Sequence, residues 1–126
     1  MKTIVLSVSL AAAFFIGADS TAAMAQTVEP SYKADPSVYK VIFENDQFRV
    51  IESVRKKGVH DKPHSHPLPS VVINLTDCKT KLYAAGGKTI ERDSKADTAG
   101  AVPIVASHSA ENIGNADCKQ VFVEKK

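Results

Sequence analysis

Short apolar or alternating runs, each closed by a turn signal, follow one another from residue 38 to the end of the chain. Val38 to Phe43 and Phe48 to Val54 are rich in Val, Ile, Phe and Tyr and flank the turn-forming Glu44-Asn45-Asp46. Both read as strands. Lys57-Gly58 closes the second. Ser70 to Leu75 has the mostly apolar character of a buried strand, and Thr76-Asp77 begins the next turn. Lys79 to Tyr83 and Lys88 to Arg92 alternate on either side of Gly86-Gly87, a hairpin signal. Asp93 to Gly100 reads as a polar loop, and Ala101 to Ala106, interrupted by Pro103, as an edge or irregular strand. His108 to Ile113, a turn at Gly114-Asn115 and Lys119 to Val123 complete the series. Val59 to Pro69 carries three prolines and three histidines and reads as a loop or irregular edge. About eight short strands without a helix predict an all-β sandwich or barrel. Periodicity does not choose between an immunoglobulin-like sandwich, a jelly roll and an up-and-down barrel.

The first residues follow a different logic. Met1-Lys2-Thr3 is a short positive start, Ile4 to Gly17 is apolar and uncharged, and Ala23-Met24-Ala25 offers small residues where a signal peptidase reads. That order predicts a signal peptide over residues 1–25, cleaved before Gln26. The apolar run falls short of the roughly 20 residues that span a bilayer, so no membrane association is expected after cleavage. Residues 26–37, with Pro30 and Pro36 among polar neighbours, read as an extended arm. Residues 38–126 form one domain of ordinary small size. The expected location is periplasmic or secreted.

The chain of 126 residues has a formal charge of +2 with both signs interspersed. Short runs such as Arg55-Lys56-Lys57 read as solvated surface rather than a nucleic-acid or membrane patch. Trp is absent and aromatics are few, which leaves Val, Ile and Leu to build the core. Cys78 and Cys118 are the two cysteines. In an oxidising compartment an even count favours a disulfide; two free thiols or a soft metal site are the competing readings.

The four histidines are His60, His64, His66 and His108. On an extended backbone His64 and His66 leave the same face, and two neutral imidazoles at that spacing can hold one metal ion at about 2.0–2.1 Å. They supply one edge of a coordination sphere, and His108 remains to complete it from another strand. A His-x-His pair alone is a weak motif.

Its surroundings are more specific, and here the sequence resembles the cupin family, the RmlC-like jelly-roll superfamily. Gly58, five residues, then His64-Ser65-His66 match the first half of its first motif, and His108, three residues, then Asn112 match the end of its second. Small exported cupins share the Asp35 to Lys40 opening and the Asn112 to Gly114 turn. The resemblance implies a single cupin jelly-roll barrel, with ligands His64, His66 and His108. It also departs from the motif. The carboxylate expected after the histidine pair is absent, since Ser70 and Val71 stand there; Asp77 and Val105 replace two further motif glycines. The site would then be a neutral three-histidine set with open positions, as in catalytic centres. Imidazole suits Zn, Fe, Ni and Cu, and Mn is carried by the family resemblance. His60 and Ser70 are candidates for a supporting shell, whereas Glu111 should face away by strand parity with His108. The resemblance also places the cysteines at one barrel end, away from the metal, and implies pairing of two copies through exposed strands. Three functions stay open: a metal-dependent enzyme on a small molecule, a non-catalytic module for a metal or small ligand, and a metal-free barrel.

Overall fold

Alternation of inward and outward residues resolves into two antiparallel sheets. The structure, a computed structural model, describes residues 27–126; the expected signal peptide lies outside the described residues. After a one-turn helix α1 (Ser31–Ala34) come nine strands: β1 (Tyr39–Glu44), β2 (Phe48–Arg55), β3 (His64–His66), β4 (Ser70–Asn74), β5 (Cys78–Ala84), β6 (Thr89–Ser94), β7 (Thr98–Val102), β8 (Val105–Asn112) and β9 (Cys118–Lys125). One sheet has the order β1-β2-β9-β4-β7 and the other β3-β8-β5-β6. The chain therefore crosses between sheets repeatedly, as a jelly roll does. Pro103, which cannot donate to a ladder, sits in the β7–β8 corner where one crossing occurs.

The histidine-rich segment is an irregular edge, as expected: His64–His66 pairs with β8 at the end of its sheet, with a register shift between the two histidines. Two expectations are corrected. The polar segment from Asp93 is partly strand: β6 runs to Ser94 and β7 begins at Thr98, held by ladders to β5 and β4 that local polarity does not reveal. The arm contains α1 and is tied down. Ser65 donates its backbone N–H to the Glu29 carbonyl at 2.9 Å and its hydroxyl to the Val28 carbonyl at 2.8 Å. Tyr32 packs on the core, with the Arg49 guanidinium 4.7 Å from its ring centre. Tertiary contacts thus override the two prolines, and the arm covers the outer side of β3, so that all three residues of that strand are buried.

The apolar core is small, centred on Val38, Tyr39, Ile51 and Phe122. Buried polar residues outnumber buried apolar ones, which marks the barrel interior as a site as well as a core. Gly58 has φ +76°, a left-handed conformation that an L side chain resists, and it turns the chain from β2 toward the histidine segment. Asn112 is buried and locks the far end of β8. Its amide donates to the carbonyls of Arg55 and Ala116 at 2.9 and 2.8 Å, and its side-chain oxygen accepts from the Gly114 N–H at 3.0 Å. The asparagine of the second motif is thereby a structural pin. A disulfide joins Cys78, opening β5, to Cys118, opening β9, and so links the two sheets. No helix among the described residues is long and apolar enough to cross a membrane.

Candidate metal centre

His64 on β3 lies directly opposite His108 on β8, and a register shift between His64 and His66 sets the latter against Val105. The irregularity aims both β3 histidines inward beside the β8 histidine. Ring centroids are 4.6 Å apart for His64–His108, 4.9 Å for His66–His108 and 5.1 Å for His64–His66. Their planes meet at 69°, 78° and 84°. Three nearly perpendicular rings at the corners of a near-equilateral triangle converge on one point. One ring nitrogen from each lies within 4.8 Å of the others. Nitrogens sharing an ion at about 2.1 Å lie roughly 3–4 Å apart, so an inward shift of an ångström or so closes the set.

The donors suit a metal. The His64 Nδ1 lies 2.8 Å from the Lys62 carbonyl, which only accepts, so Nδ1 carries the proton and Nε2 keeps its lone pair. The Tyr39 hydroxyl approaches that Nε2 at 3.3 Å, yet its proton has a better acceptor in Asp61 Oδ2 at 2.7 Å. Nδ1 of His66 and Nε2 of His108 are buried without any hydrogen-bond partner. Burial lowers the pKa of all three rings: His64 below its ordinary value, His66 to about 3 with further repulsion from His108 and His64, and His108 to about 4 with repulsion from His64. Three neutral imidazoles therefore face one another at neutral pH, the form that ligates. His66 also stacks on Phe122 at 5.4 Å, which fixes its ring plane.

Those shifts predict acid sensitivity of the metal-free protein. Below about pH 6.5 the unfolded chain takes up protons that the folded rings refuse until about pH 4 and 3, so stability falls as pH falls across that window. Each histidine contributes at most about 1.4 kcal/mol per pH unit. Urea midpoints of chelator-treated protein should drop steadily from pH 6.5 to 4, and a flat profile would contradict the buried neutral rings.

Behind His64 lies an ion network that the sequence reading missed. Arg55, expected on the solvated surface, is buried because its position on β2 faces inward. Its guanidinium donates to Asp61 Oδ2 at 2.7 Å and to the Tyr39 hydroxyl at 2.6 Å. Asp61 Oδ1 accepts from the Ala110 N–H at 2.6 Å and stands 3.7 Å from His64 Nδ1. Burial pushes the Tyr39 hydroxyl far above its ordinary pKa, so it stays protonated. The alternation of β2, with Ile51, Ser53 and Arg55 all buried, was the available signal for Arg55.

The two supporting candidates sit elsewhere. His60 is exposed on the outer face of β8, stacked on Tyr83 at 4.6 Å with its Nε2 2.8 Å from the Ser109 hydroxyl. It is not brought together with the other three histidines, because Ser109 is adjacent to His108 and so faces the opposite side of the strand. Ser70 points inward from β4, but its buried hydroxyl makes no hydrogen bond to any ring. Glu111 faces outward as parity predicts and accepts from the Tyr83 hydroxyl at 2.5 Å. A cavity of about 100 Å³ opens beside the triad, with His66, His108, Arg55 and Arg92 among its walls.

Solved structures match this arrangement of strands. A cupin domain from Bordetella pertussis aligns with a TM-score of 0.65 over 71% of this chain and 92% of its own, at 20% identity. The fold is that of the cupins. An RmlC-like cupin from Methanocaldococcus jannaschii, described as a double-stranded β-helix, aligns with a TM-score of 0.57 at 14% identity, covering 70% of this chain and 78% of its own. A cupin superfamily protein from Desulfitobacterium hafniense gives 0.52 at 9% identity, over 70% and 75%. No protein-family model matches the chain, and no curated protein matches it. At these identities the cupin likeness establishes the fold, while the triad stands on its own geometry.

Proposed function

We propose that this cupin is an exported protein that binds one divalent metal ion through His64, His66 and His108. The observation that carries this reading is the convergence of three neutral imidazoles, two buried and one half-buried, from two distant segments, two of them with a ring nitrogen left unpartnered. Ligand type is compatible with Zn, Fe, Ni or Cu. A bound ion would keep positions open for a small molecule and polarise an oxygen placed there. The protein's own part is to hold three nitrogens in place: Lys62 sets the His64 tautomer, Phe122 the His66 plane, and the Arg55-Asp61-Tyr39 network the backing of His64. Whether the bound molecule is turned over or only held is separated by assaying turnover on metal-loaded protein. A disulfide between buried cysteines supports a periplasmic or secreted location.

One preparation tests both parts. Protein recovered from the periplasm or medium should have an intact mass that begins at Gln26 and should carry about one divalent ion per chain by elemental analysis. His64→Ala, His66→Ala and His108→Ala should each weaken metal binding at least a hundredfold by competition titration while circular dichroism keeps the β signature. Unchanged metal content in all three variants would refute the ligand assignment.

A further inference from the structure

Arg92 is a charged residue where the fold calls for an inward one. Its partner in the β5–β6 ladder is Thr80, which is buried and lines the cavity beside the triad; Arg92 leaves the same face of the sheet but is itself exposed, and lines the cavity from its solvent side. Ser94 follows on that face and lines the cavity too. Among the described residues Arg92 forms no ion pair within 4 Å, whereas the other cavity arginine, Arg55, is neutralised by Asp61 at 2.7 Å. No Asp or Glu among the described residues lines the cavity. Thr80, the partner of Arg92, stands four residues along β5 from Ala84, the partner of His108, and β6 and β8 flank β5 on opposite sides, so the two backbones are offset by roughly 13 Å along the strands and about 10 Å across them, about 16 Å in all. Two side chains reaching toward each other across that span leave room for a small molecule between them.

We propose that the cavity is a subsite for a small organic carboxylate, held by the Arg92 guanidinium at one end and directed toward the three histidines at the other. The proposal rests on the metal reading for its second anchor. A divalent ion on three neutral imidazoles, with Ser70 and Val71 where a motif carboxylate would stand, keeps its full positive charge. Together with Arg92 this gives two cationic ends and no acid between them. The guanidinium fork matches a carboxylate in two parallel hydrogen bonds, and the Thr80 and Ser94 hydroxyls flank it. Apolar walls from Val72, Leu82, Val102 and Phe122 select against a fully hydrated ion such as phosphate. A cavity of about 100 Å³ suits a body on the order of three to six non-hydrogen atoms, since about 150 Å³ holds a benzene.

The test is calorimetric titration of zinc-loaded and metal-free protein with propionate and lactate, with propionamide and inorganic phosphate as controls, in the wild type, Arg92→Gln and Arg92→Lys. Metal content is measured separately on each sample. Carboxylate binding that weakens tenfold or more in R92Q and less in R92K, at unchanged metal content, supports the subsite. Equal binding in R92Q and wild type overturns it, as does phosphate or propionamide binding as tightly as propionate, or no carboxylate binding in any sample. If the wild type takes up no zinc but metal-free protein binds carboxylate in an Arg92-dependent way, the subsite stands and the metal reading falls. Because β6 is an edge strand, an inward charge there also deters strand-to-strand association. Aggregation of R92Q with carboxylate binding intact would assign Arg92 to that role and overturn the proposal.

Discussion

Asp61→Ala is expected to lower stability by about 3–5 kcal/mol, the cost of stranding a buried charge. The Arg55 side chain is 3% exposed and that of Asp61 0%, so the arginine is left with little contact with water once its partner is gone. Its remaining neighbour, the Tyr39 hydroxyl, is neutral. The same substitution also strips the Ala110 N–H of its acceptor, a further penalty of the unsatisfied kind, and leaves the Tyr39 O–H only the more distant His64 Nε2. Domains of this size are typically stable by about 5–15 kcal/mol, so the variant should be at or near the limit of folding. Asp61→Asn keeps one oxygen acceptor and a similar shape but turns the other oxygen into an N–H donor and leaves Arg55 without a counter-charge, so its loss should lie below that of Asp61→Ala without vanishing. Arg55→Met combined with Asp61→Ala should be more stable than Asp61→Ala alone, since no lone charge is then buried. Urea denaturation of the series decides the matter; an Asp61→Ala loss below about 1 kcal/mol would show that water or another group relieves Arg55.

Because Asp61 backs His64, its loss should also reach the metal. Groups that orient a ligand imidazole typically change metal affinity by about 10–100-fold, and Asp61→Asn, which folds, is the variant in which to measure it. A purely structural ion pair would leave the affinity of the folded variant at the wild-type level.

The same network marks how far the sequence could be read. The strands were legible because inward and outward residues alternate, and the triad was legible because His-x-His and His-x-x-x-Asn are local patterns with fixed spacing. The cysteines were legible by count. What escaped was set by partners distant in the chain. Asp61 stands between His60 and Lys62 in a segment that looks like a charged loop, and only the fold brings it to Arg55, Tyr39 and Ala110. His60 shows the converse. Its nearness to His64 and His66 in sequence suggested a shared site, yet it ends on the outer face against Tyr83. Strand β7 was hidden because its residues, Thr98 to Val102, are small, include a glycine and follow a polar run, and they owe their conformation to the ladder with β4. Arg92 was readable as an alternating strand residue, but which face it occupied depended on the register with Thr80.

Replacing both cysteines, Cys78→Ser with Cys118→Ser, is the second large expected effect. The bridge spans a sequence separation of 40 residues, and the chain-entropy model assigns a loop of that length about 4 kcal/mol, with 2–4 kcal/mol the usual realised range. The position argues for the upper part of that range. Cys78 lies in the β3-β8-β5-β6 sheet and Cys118 in the β1-β2-β9-β4-β7 sheet, so the bond ties together two layers whose apolar core between them is small. Both residues are buried, and the serine hydroxyls would need partners in a place built for sulfur. For a domain of about 100 residues, 3 kcal/mol corresponds to a melting-temperature decrease on the order of 10–20 °C. Differential scanning calorimetry of the oxidised wild type against the double variant reads it directly. The metal site should respond far less, since Cys78 opens β5 while Ala84, the residue opposite His108, closes it. A separation of six residues is roughly 20 Å along a strand. Metal affinity measured on the double variant well below its melting temperature should stay within about threefold of wild type, because a half-molecule distance separates bridge from ligands. A loss of metal binding in step with the loss of stability would mean instead that the triad depends on the whole barrel, and that its convergence is not a property of β3 and β8 alone.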